Sequence, residues 1–293
     1  MNMSKIHIIA RGGIGDVILL TPTLREIKKR FPDSKLIVHT MHRKHYEVLL
    51  NNPRVDLLLL ESKPWIFCMK LLRNAGYLPA KYRVVNYGDY APSIWFPQQS
   101  ATEIIGELMG VQLSEPTPEL FLTPDEDDFG RNIVSRTKVP IAIHTTAFSE
   151  NKNWPVRKWK DLVSRNAQYD FFELGRCGTP ILNTPIDKCG GSDLRRDFAL
   201  LKHCKAFIGV ESCFAHAAAA FGVPGVVLFG STSTMTWGHA SNINISSTKR
   251  CSPCIDLIAY NKCPYGVACM EMITVEEVEA ALRSQLLTAA KQV

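Results

Sequence analysis

The chain has 293 residues, of which 46% are hydrophobic and 21% are charged. These ordinary fractions exclude a wholly disordered, collagen-like or coiled-coil chain, and the length suggests two domains. The 34 lysines and arginines exceed the 28 aspartates and glutamates, which gives a net charge of +6. That excess favours anionic partners, among which nucleic acid, phosphorylated metabolites and a membrane surface all stay open.

The cysteine content and the apolar runs indicate in which cellular compartment the protein is expected. The nine cysteines cannot all pair within one chain, so a reducing compartment is expected rather than a disulfide scaffold. The first apolar run is stopped by Arg11, too early for a signal peptide, and the longest, residues 213–229, is interrupted by glycine, proline and histidine. We therefore expect a cytoplasmic protein, with peripheral contact at the inner membrane left open.

In the first half of the chain, short β-rich runs alternate with helical patterns, as in βαβ units with a parallel sheet. The predicted strands span residues 5–10, 36–39 and 55–60. Helices are predicted after the first strand and around residues 46–50. Thr123 and Glu126 then form a capping box with Pro124 at the first helical position, so a helix begins there. This point is the predicted boundary between domains of residues 1–123 and 124–293.

The second half repeats the same alternation. Its predicted strands span residues 139–144, 171–174, 206–210 and 225–229. Its predicted helices span residues 155–166, 213–221 and 274–289. Two consecutive α/β domains suggest two facing Rossmann-like halves with a ligand cleft between them, since open α/β sheets bind ligands beyond the carboxyl ends of their strands.

The first informative motif is the glycine turn of residues 11–16, RGGIGD. Gly12, Gly13 and Gly15 let the chain turn sharply and approach a ligand, and the helix that follows favours an anion at its N-terminus. The pattern is neither a P-loop nor G-x-G-x-x-G. Asp16 has two interpretations: an N-cap residue, or a general base at the mouth of the cleft.

The second motif, residues 144–155, reads HTTAFSENKNWP and lies between a strand and a helix. The hydroxyls of Thr145 and Thr146, nearby backbone N–H groups and Lys152 suit a diphosphate. An ordinary polar loop is an equally good interpretation, with Trp154 and Trp159 as packing residues.

The third motif, residues 209–216, reads GVESCFAH and again joins a strand to a helix. Glu211 could hydrogen-bond the hydroxyls of a sugar. For His216, a buried histidine with satisfied hydrogen bonds is the commoner explanation.

Together, residues 15–22, 144–155 and 211–224 resemble the hallmarks of the ADP-heptose:lipopolysaccharide heptosyltransferases, glycosyltransferase family 9. The resemblance covers nearly the whole chain in order. It implies an α/β GT-B fold, with two facing Rossmann-like domains, and an inverting transfer of heptose from ADP-heptose to a sugar hydroxyl. The first domain would then be the acceptor side, and the second would bind the nucleotide sugar without a catalytic metal.

The resemblance also implies roles for individual residues. Asp16 would be the general base, in an acceptor loop with Gly12, Gly13 and Gly15. The implied donor-binding residues are Thr145, Thr146, Lys152, Glu211, Ser212, Cys213 and His216. Two of them depart from the family pattern, because Glu211 stands for an aspartate and Cys213 for a glycine. These departures leave open a sugar related to heptose, and the acceptor could be a lipopolysaccharide-core sugar, another glycan or a protein.

Four cysteines cluster near the C-terminus, namely Cys251, Cys254, Cys263 and Cys269. Their spacing can close a tetrahedral thiolate site for zinc or iron, while unligated thiols and a redox pair are alternatives. Similar clusters occur in iron-binding members of the family that glycosylate autotransporter proteins. The scattered cysteines expected in the core are Cys68, Cys177, Cys189 and Cys204.

Two charged segments have structural interpretations. The Asp-x-Asp triad of residues 125–127 falls in the first turn of a capped helix, where acids are favoured by the helix dipole. The basic run of residues 25–44 is usually a solvated face, although family members use such residues to face phosphorylated acceptors.

Two further functions stay open. A nucleotide-sugar epimerase or hydrolase of the same shape would turn over donor without any acceptor. A metal-bearing protein that binds nucleic acid is disfavoured, because few aromatic and basic residues accompany the cysteines.

Overall fold

The computed structural model describes residues 5–62, 82–84, 99–175, 193–254 and 263–290. The chain forms two compact units, Met1–Leu122 and Thr123–Val293. Each contains its own parallel sheet. Cys68, Cys177 and Cys189 lie outside the described residues.

The first unit has a four-stranded sheet in the order β3-β2-β1-β4. Its strands are β1 (Lys5–Ala10), β2 (Lys35–Thr40), β3 (Leu57–Leu60) and β4 (Tyr82–Val84). Its helices are α1 (Ile14–Leu19), α2 (Thr21–Arg30), α3 (Arg43–Leu49) and α4 (Ala101–Leu108). All described pairings are parallel, with β1 and β2 in register from Lys5–Lys35 to Ala10–Thr40. The carboxyl end of central β1 therefore leads directly into the glycine turn.

The second unit has a five-stranded parallel sheet in the order β6-β5-β7-β8-β9. Its strands are β5 (Pro140–His144), β6 (Asp170–Glu173), β7 (Ala206–Val210), β8 (Gly225–Phe229) and β9 (Asn242–Ser246). Its longer helices are α5 (Pro124–Val134), α6 (Val156–Arg165), α7 (Leu194–His203), α8 (Cys213–Ala220) and, after two short helices, α11 (Val275–Ala290). The short helices are α9 (Thr234–Trp237) and α10 (Ala268–Met272). A 3-10 turn covers Glu150–Lys152.

Two tryptophans, Trp154 of the second motif and Trp159 of α6, lie in the core of the second unit. Trp154 is 1% exposed and Trp159 is 0% exposed, and their rings meet edge to face at 4.8 Å. The indole N–H of Trp154 donates to the carbonyl of Ile273, which joins the loop after β5 to the segment before α11. Burying aromatic side chains of this size contributes several kcal/mol each, about 3–5 when truncated to alanine. Both are packing residues.

The predicted helix start at Thr123 is confirmed. Thr123 is the N-cap of α5, its hydroxyl accepts from the Glu126 N–H, and Pro124 is the first helical residue. The Glu126 carboxylate also binds the guanidinium of Arg195 on α7 over 2.7 and 2.5 Å. Burial alone would raise the pKa of Glu126, but the Arg195 guanidinium and the hydrogen bonds to Thr123 together lower it. The acidic triad therefore joins α5 to α7, a structural role that the sequence did not specify.

The basic run of residues 25–44 is used largely within the first unit. Arg25 is 7% exposed, donates to the carbonyls of Glu115 and Thr117, and lies 3.1 Å from Glu119. Lys28 bonds Asp56 over 2.7 Å. Such internal pairing explains the clustering of charge without an external ligand. No helix in the described part of the chain is both long enough and apolar enough to cross a membrane.

Candidate active site

The glycine turn of the first unit fixes the position of Asp16. Gly13 is the N-cap residue of α1, and its backbone N–H donates to Oδ2 of Asp16 over 2.6 Å. Asp16 is therefore not the N-cap residue, as one interpretation held, but caps the helix from its third position. Gly12 has a φ of +97°, and a Cβ on it would lie 2.6 Å from the same oxygen. Only glycine fits there, so loop and carboxylate form one tight unit.

His45 of α3 supports the same loop, a role that the sequence did not suggest. Its side chain is 3% exposed. Burial and the neighbouring His42 lower the pKa of His45 to about 4, and a hydrogen bond to the backbone of Gly12 offsets part of that effect. The ring is therefore neutral near pH 7 and ties α3 to the turn that carries Asp16. In the sequence, His45 is merely one polar residue in a short helix, with no spacing that marks it.

All seven residues of the implied donor-binding set belong to the second unit, where they follow strands β5 and β7. These strands are neighbours, with His144 opposite Gly209. Because the carboxyl ends of parallel strands meet at one edge of a sheet, the second and third motifs meet there.

Lys152 and Glu211 form the central ion pair of this edge. Lys152 Nζ lies 2.5 Å from Glu211 Oε2, and the two side chains are 19% and 5% exposed. The lysine comes from the 3-10 turn after β5, whereas the glutamate directly follows β7, 59 residues later. A buried carboxylate needs such a partner, because its desolvation otherwise costs several kcal/mol. Lys152, which the sequence assigned to a diphosphate, thus pairs with Glu211, which the sequence assigned to a sugar.

His216 and a second histidine, His239, extend this pair. His216 Nδ1 lies 2.8 Å from His239 Nε2, and His216 Nε2 lies 3.8 Å from Glu211 Oε1. His216 is 1% exposed. Burial, followed by the neighbouring His239 and Lys152, holds the pKa of His216 well below its usual range. His239 follows α9 and had no role in the sequence analysis, because no motif there includes it.

Thr145 and Thr146 differ in their environments. The Thr145 hydroxyl is buried and donates to Glu173 Oε1 over 3.0 Å, at the end of β6. Thr146 is exposed. The preceding His144 donates from Nδ1 to the Leu174 carbonyl, and burial lowers its pKa to about 4. Of the two predicted hydroxyls, the one on Thr146 is therefore presented to solvent, and the one on Thr145 orders the strand end.

Several hydroxyls near this edge are buried without a hydrogen-bond partner among the described residues. They belong to Ser212, Ser231, Thr232 and Thr236. Buried polar atoms in folded proteins nearly always find a partner, so unsatisfied ones at strand ends suit a polar ligand. Cys213 begins α8 beside Ser212, and burial is the main cause that raises the pKa of its thiol to about 12. Cys213 is thus protonated at neutral pH, and its role there is one of volume rather than nucleophilic attack.

The four C-terminal cysteines lie near one another. Burial raises the pKa of Cys254 to about 11, and Cys269, Cys251 and Cys263 contribute in that order. All four are free thiols, and Cys269 is buried. Within the described residues, however, no group of three or more histidine, cysteine or acidic side chains is arranged to hold a metal ion. Cys204 is buried in the core, as predicted.

The chain is similar to known proteins in both sequence and fold. Residues 180–263 match the family model described as Glycosyltransferase family 9 (heptosyltransferase). A search of curated proteins gives no match. Among solved structures, a glycosyl transferase family 9 protein from Veillonella parvula shares 16% sequence identity at a TM-score of 0.72, with 98% of this chain and 99% of that chain covered.

Two Escherichia coli enzymes have the same fold. ADP-heptose lps heptosyltransferase II shares 18% identity at a TM-score of 0.66, covering 97% of this chain and 99% of its own. TibC, an iron-containing dodecameric glycosyltransferase solved in complex with ADP-D-beta-D-heptose, shares 14% at a TM-score of 0.68, covering 98% and 77%. The TM-scores of these structures establish a common fold, which confirms the predicted α/β GT-B class. The family match over residues 180–263 supports the resemblance to glycosyltransferase family 9 in that part of the chain.

Proposed function

We propose that the protein transfers a heptose or a related sugar from an ADP-sugar to a hydroxyl group, with inversion at the anomeric carbon. The observation that carries this proposal is the assembly of Lys152, Glu211 and His216 at the carboxyl edge of the second sheet. A cation beside buried, unsatisfied hydroxyls suits a sugar diphosphate. The solved relatives that bind ADP-heptose support the choice of donor.

In the proposed reaction, the acceptor oxygen attacks the anomeric carbon from the face opposite the diphosphate. Asp16 accepts the hydroxyl proton as the new carbon–oxygen bond forms, and the bond to the β-phosphate oxygen breaks to release ADP. The Gly13 N–H bond to Asp16 keeps the carboxylate in one orientation. Lys152 and the N-terminus of α8 stabilise the negative charge that grows on ADP, so the proposed chemistry needs no catalytic metal.

Two residues of the proposed sugar pocket differ from the family pattern. Glu211 replaces the shorter aspartate of the resembling family and uses its extra length to reach Lys152. Cys213 adds a side chain at the N-terminus of α8, where the family has glycine. We propose that these two residues narrow the pocket and select among ADP-heptose and related sugars. The acceptor is proposed to be a lipopolysaccharide-core sugar, another glycan or a protein.

We propose that the four-cysteine cluster binds a structural metal, because all four cysteines are free thiols and zinc and iron prefer thiolate ligands. Cys251, Cys254, Cys263 and Cys269 would hold it, and when bound it would cross-link the segments before and after residues 255–262. TibC is an iron-containing relative. Free thiols persist in reducing compartments, so a cytoplasmic location, with peripheral contact at the inner membrane, belongs to the proposal.

The proposal is tested by incubating the protein with ADP-heptose, other ADP-sugars and UDP-sugars, each with and without lipid A-core or protein acceptors, and detecting products by mass spectrometry. We expect transfer from an ADP-sugar, and a loss of about 10²–10⁴-fold in Asp16→Asn with unchanged ADP affinity. Transfer that survives the substitution would refute the role of Asp16. Donor turnover that needs no acceptor would favour the epimerase or hydrolase instead.

A further inference from the structure

Four side chains form a continuous polar row through the second unit. Lys152 contacts Glu211 over 2.5 Å, Glu211 lies 3.8 Å from His216, and His216 lies 2.8 Å from His239. They come from four separate segments: the 3-10 turn, the loop after β7, helix α8 and the loop after α9. The row contains one fixed cation, one carboxylate and two imidazoles.

Without a bound ligand, the positive charge of Lys152 balances the negative charge of Glu211, and both histidines are neutral. Burial is the main cause that holds the pKa of His216 well below its usual range, and burial lowers the pKa of His239 to about 4, against a raising effect of Glu211. The charged and titratable groups that face His216 are Glu211, Lys152 and His239, and the Trp237 ring is 6.3 Å away. Those facing His239 are Glu211 and His216. Among the described residues, it is therefore Lys152 that balances Glu211 at neutral pH.

A diphosphate at this edge changes that balance. The negative charge of the diphosphate attracts the Lys152 ammonium, which is 19% exposed and can turn toward a ligand at the surface. Glu211 is only 5% exposed and stays buried. A buried carboxylate left without its cation is costly, and the group next to it that can become a cation is His216.

We propose that donor binding is coupled to the uptake of one proton by the His216–His239 pair, which then balances Glu211 in place of Lys152. This inference rests on the proposed function, since it needs a diphosphate at Lys152. The proton comes from solvent through His239, which is only partly buried. In the charged pair, His216 carries protons on both nitrogens: Nδ1–H donates to His239 Nε2, and Nε2–H faces Glu211. No covalent bond between heavy atoms changes, and the proton returns to solvent when ADP leaves.

The direction of the pH effect follows from this step. A proton taken up on binding raises the affinity for ADP as pH falls, by up to about tenfold per pH unit where uptake is complete. A histidine pair with a purely structural role would leave the number of protons exchanged on binding unchanged.

The test measures proton uptake by isothermal titration calorimetry of the full chain with ADP at pH 7, in two buffers of different ionisation enthalpy. Protons exchanged by ADP itself are common to all variants and cancel in differences. Compared with His216→Gln and with Glu211→Gln, the wild type should take up about one more proton. The control His203→Gln removes a histidine that pairs with Asp127 on α5, and it should behave as wild type.

Each outcome decides one question. Equal uptake in wild type and Glu211→Gln would overturn the coupling, and uptake that persists in His216→Gln would assign the proton elsewhere and overturn the proposal too. Glu211→Gln keeps an amide of nearly the same shape, so it serves even if His216→Gln does not fold, as judged by its thermal transition. An absence of ADP binding in the wild type would instead refute the proposed function itself.

Discussion

Replacing Gly12 by alanine tests whether the glycine turn exists to hold Asp16. Gly12 has a φ of +97°, and its new Cβ would lie 2.6 Å from Asp16 Oδ2 and 2.8 Å from both Asp16 Cβ and Cγ. Real side chains do not approach so closely, so either the turn or Asp16 must move. Holding alanine at positive φ costs about 1–2 kcal/mol and losing the capping contact about 1 kcal/mol, so the free energy of unfolding should fall by about 2–3 kcal/mol.

Gly13→Ala is the matched control. Gly13 has a φ of −85° and ψ of 179°, which alanine adopts freely, and its Cβ would lie 3.4 Å from Asp16 Oδ2. We expect this variant to lose under about 1 kcal/mol. Urea denaturation followed by circular dichroism measures both variants. Sugar transfer should fall by about 10²-fold or more in Gly12→Ala only, because a displaced base cannot reach its proton. Equal stability and activity in the two variants would refute the argument.

Three other predictions concern the second unit. Lys152→Met should weaken ADP binding by about 10- to 150-fold, because it removes a charged hydrogen bond worth about 1.5–3 kcal/mol. The control Lys160→Met replaces an exposed lysine and should leave the affinity for ADP unchanged. Calorimetry with ADP measures both affinities. Arg195→Met should lower the free energy of unfolding by about 3 kcal/mol near pH 7. The control Arg196→Met should lower it by well under about 1 kcal/mol, because the Arg196 side chain is 60% exposed. The partner carboxylate of Arg195 has a lowered pKa, so this stabilisation is present at neutral pH and lost as pH falls through the acid range; a loss that does not shrink at low pH would contradict the ion pair. Elemental analysis should find zinc or iron at about one atom per chain, reduced in Cys254→Ser, and a metal-free wild type would refute the site.

Local chemistry in the sequence was enough to place most helices and strands. The capping box at Thr123 fixes the start of α5, because the Thr123 hydroxyl accepts from the Glu126 N–H and the Glu126 carboxylate accepts from the Thr123 N–H. These bonds are local and do not depend on how the helix packs. The apolar runs at residues 206–210 and 225–229 are buried strands with the predicted bounds. Boundaries shifted by one to three residues elsewhere, as in β3, which begins at Leu57 rather than at residue 55, and α3, which begins at Arg43 rather than at residue 46. Terminal residues of an element have few contacts to define them.

The resemblance to family 9 implied Asp16, Lys152, Glu211 and His216 together as site residues, and that assignment stays a prediction. The sequence could not show that Lys152 and Glu211 bind each other, because a contact across 59 residues depends on which strands are neighbours in the sheet. For the same reason it missed His45 and His239, whose positions carry no local pattern and whose importance comes from burial beside Gly12 and His216.

The sequence by itself thus determined the chemical groups and the order in which the chain delivers them, since both follow from residue type and periodicity. Only the tertiary structure decided which charges meet. Pairing of β5 with β7 brings Lys152 to Glu211, and the desolvation of that edge makes the two histidines neutral. Burial and pairing arise from elements distant in the chain, and no stretch of sequence contains them.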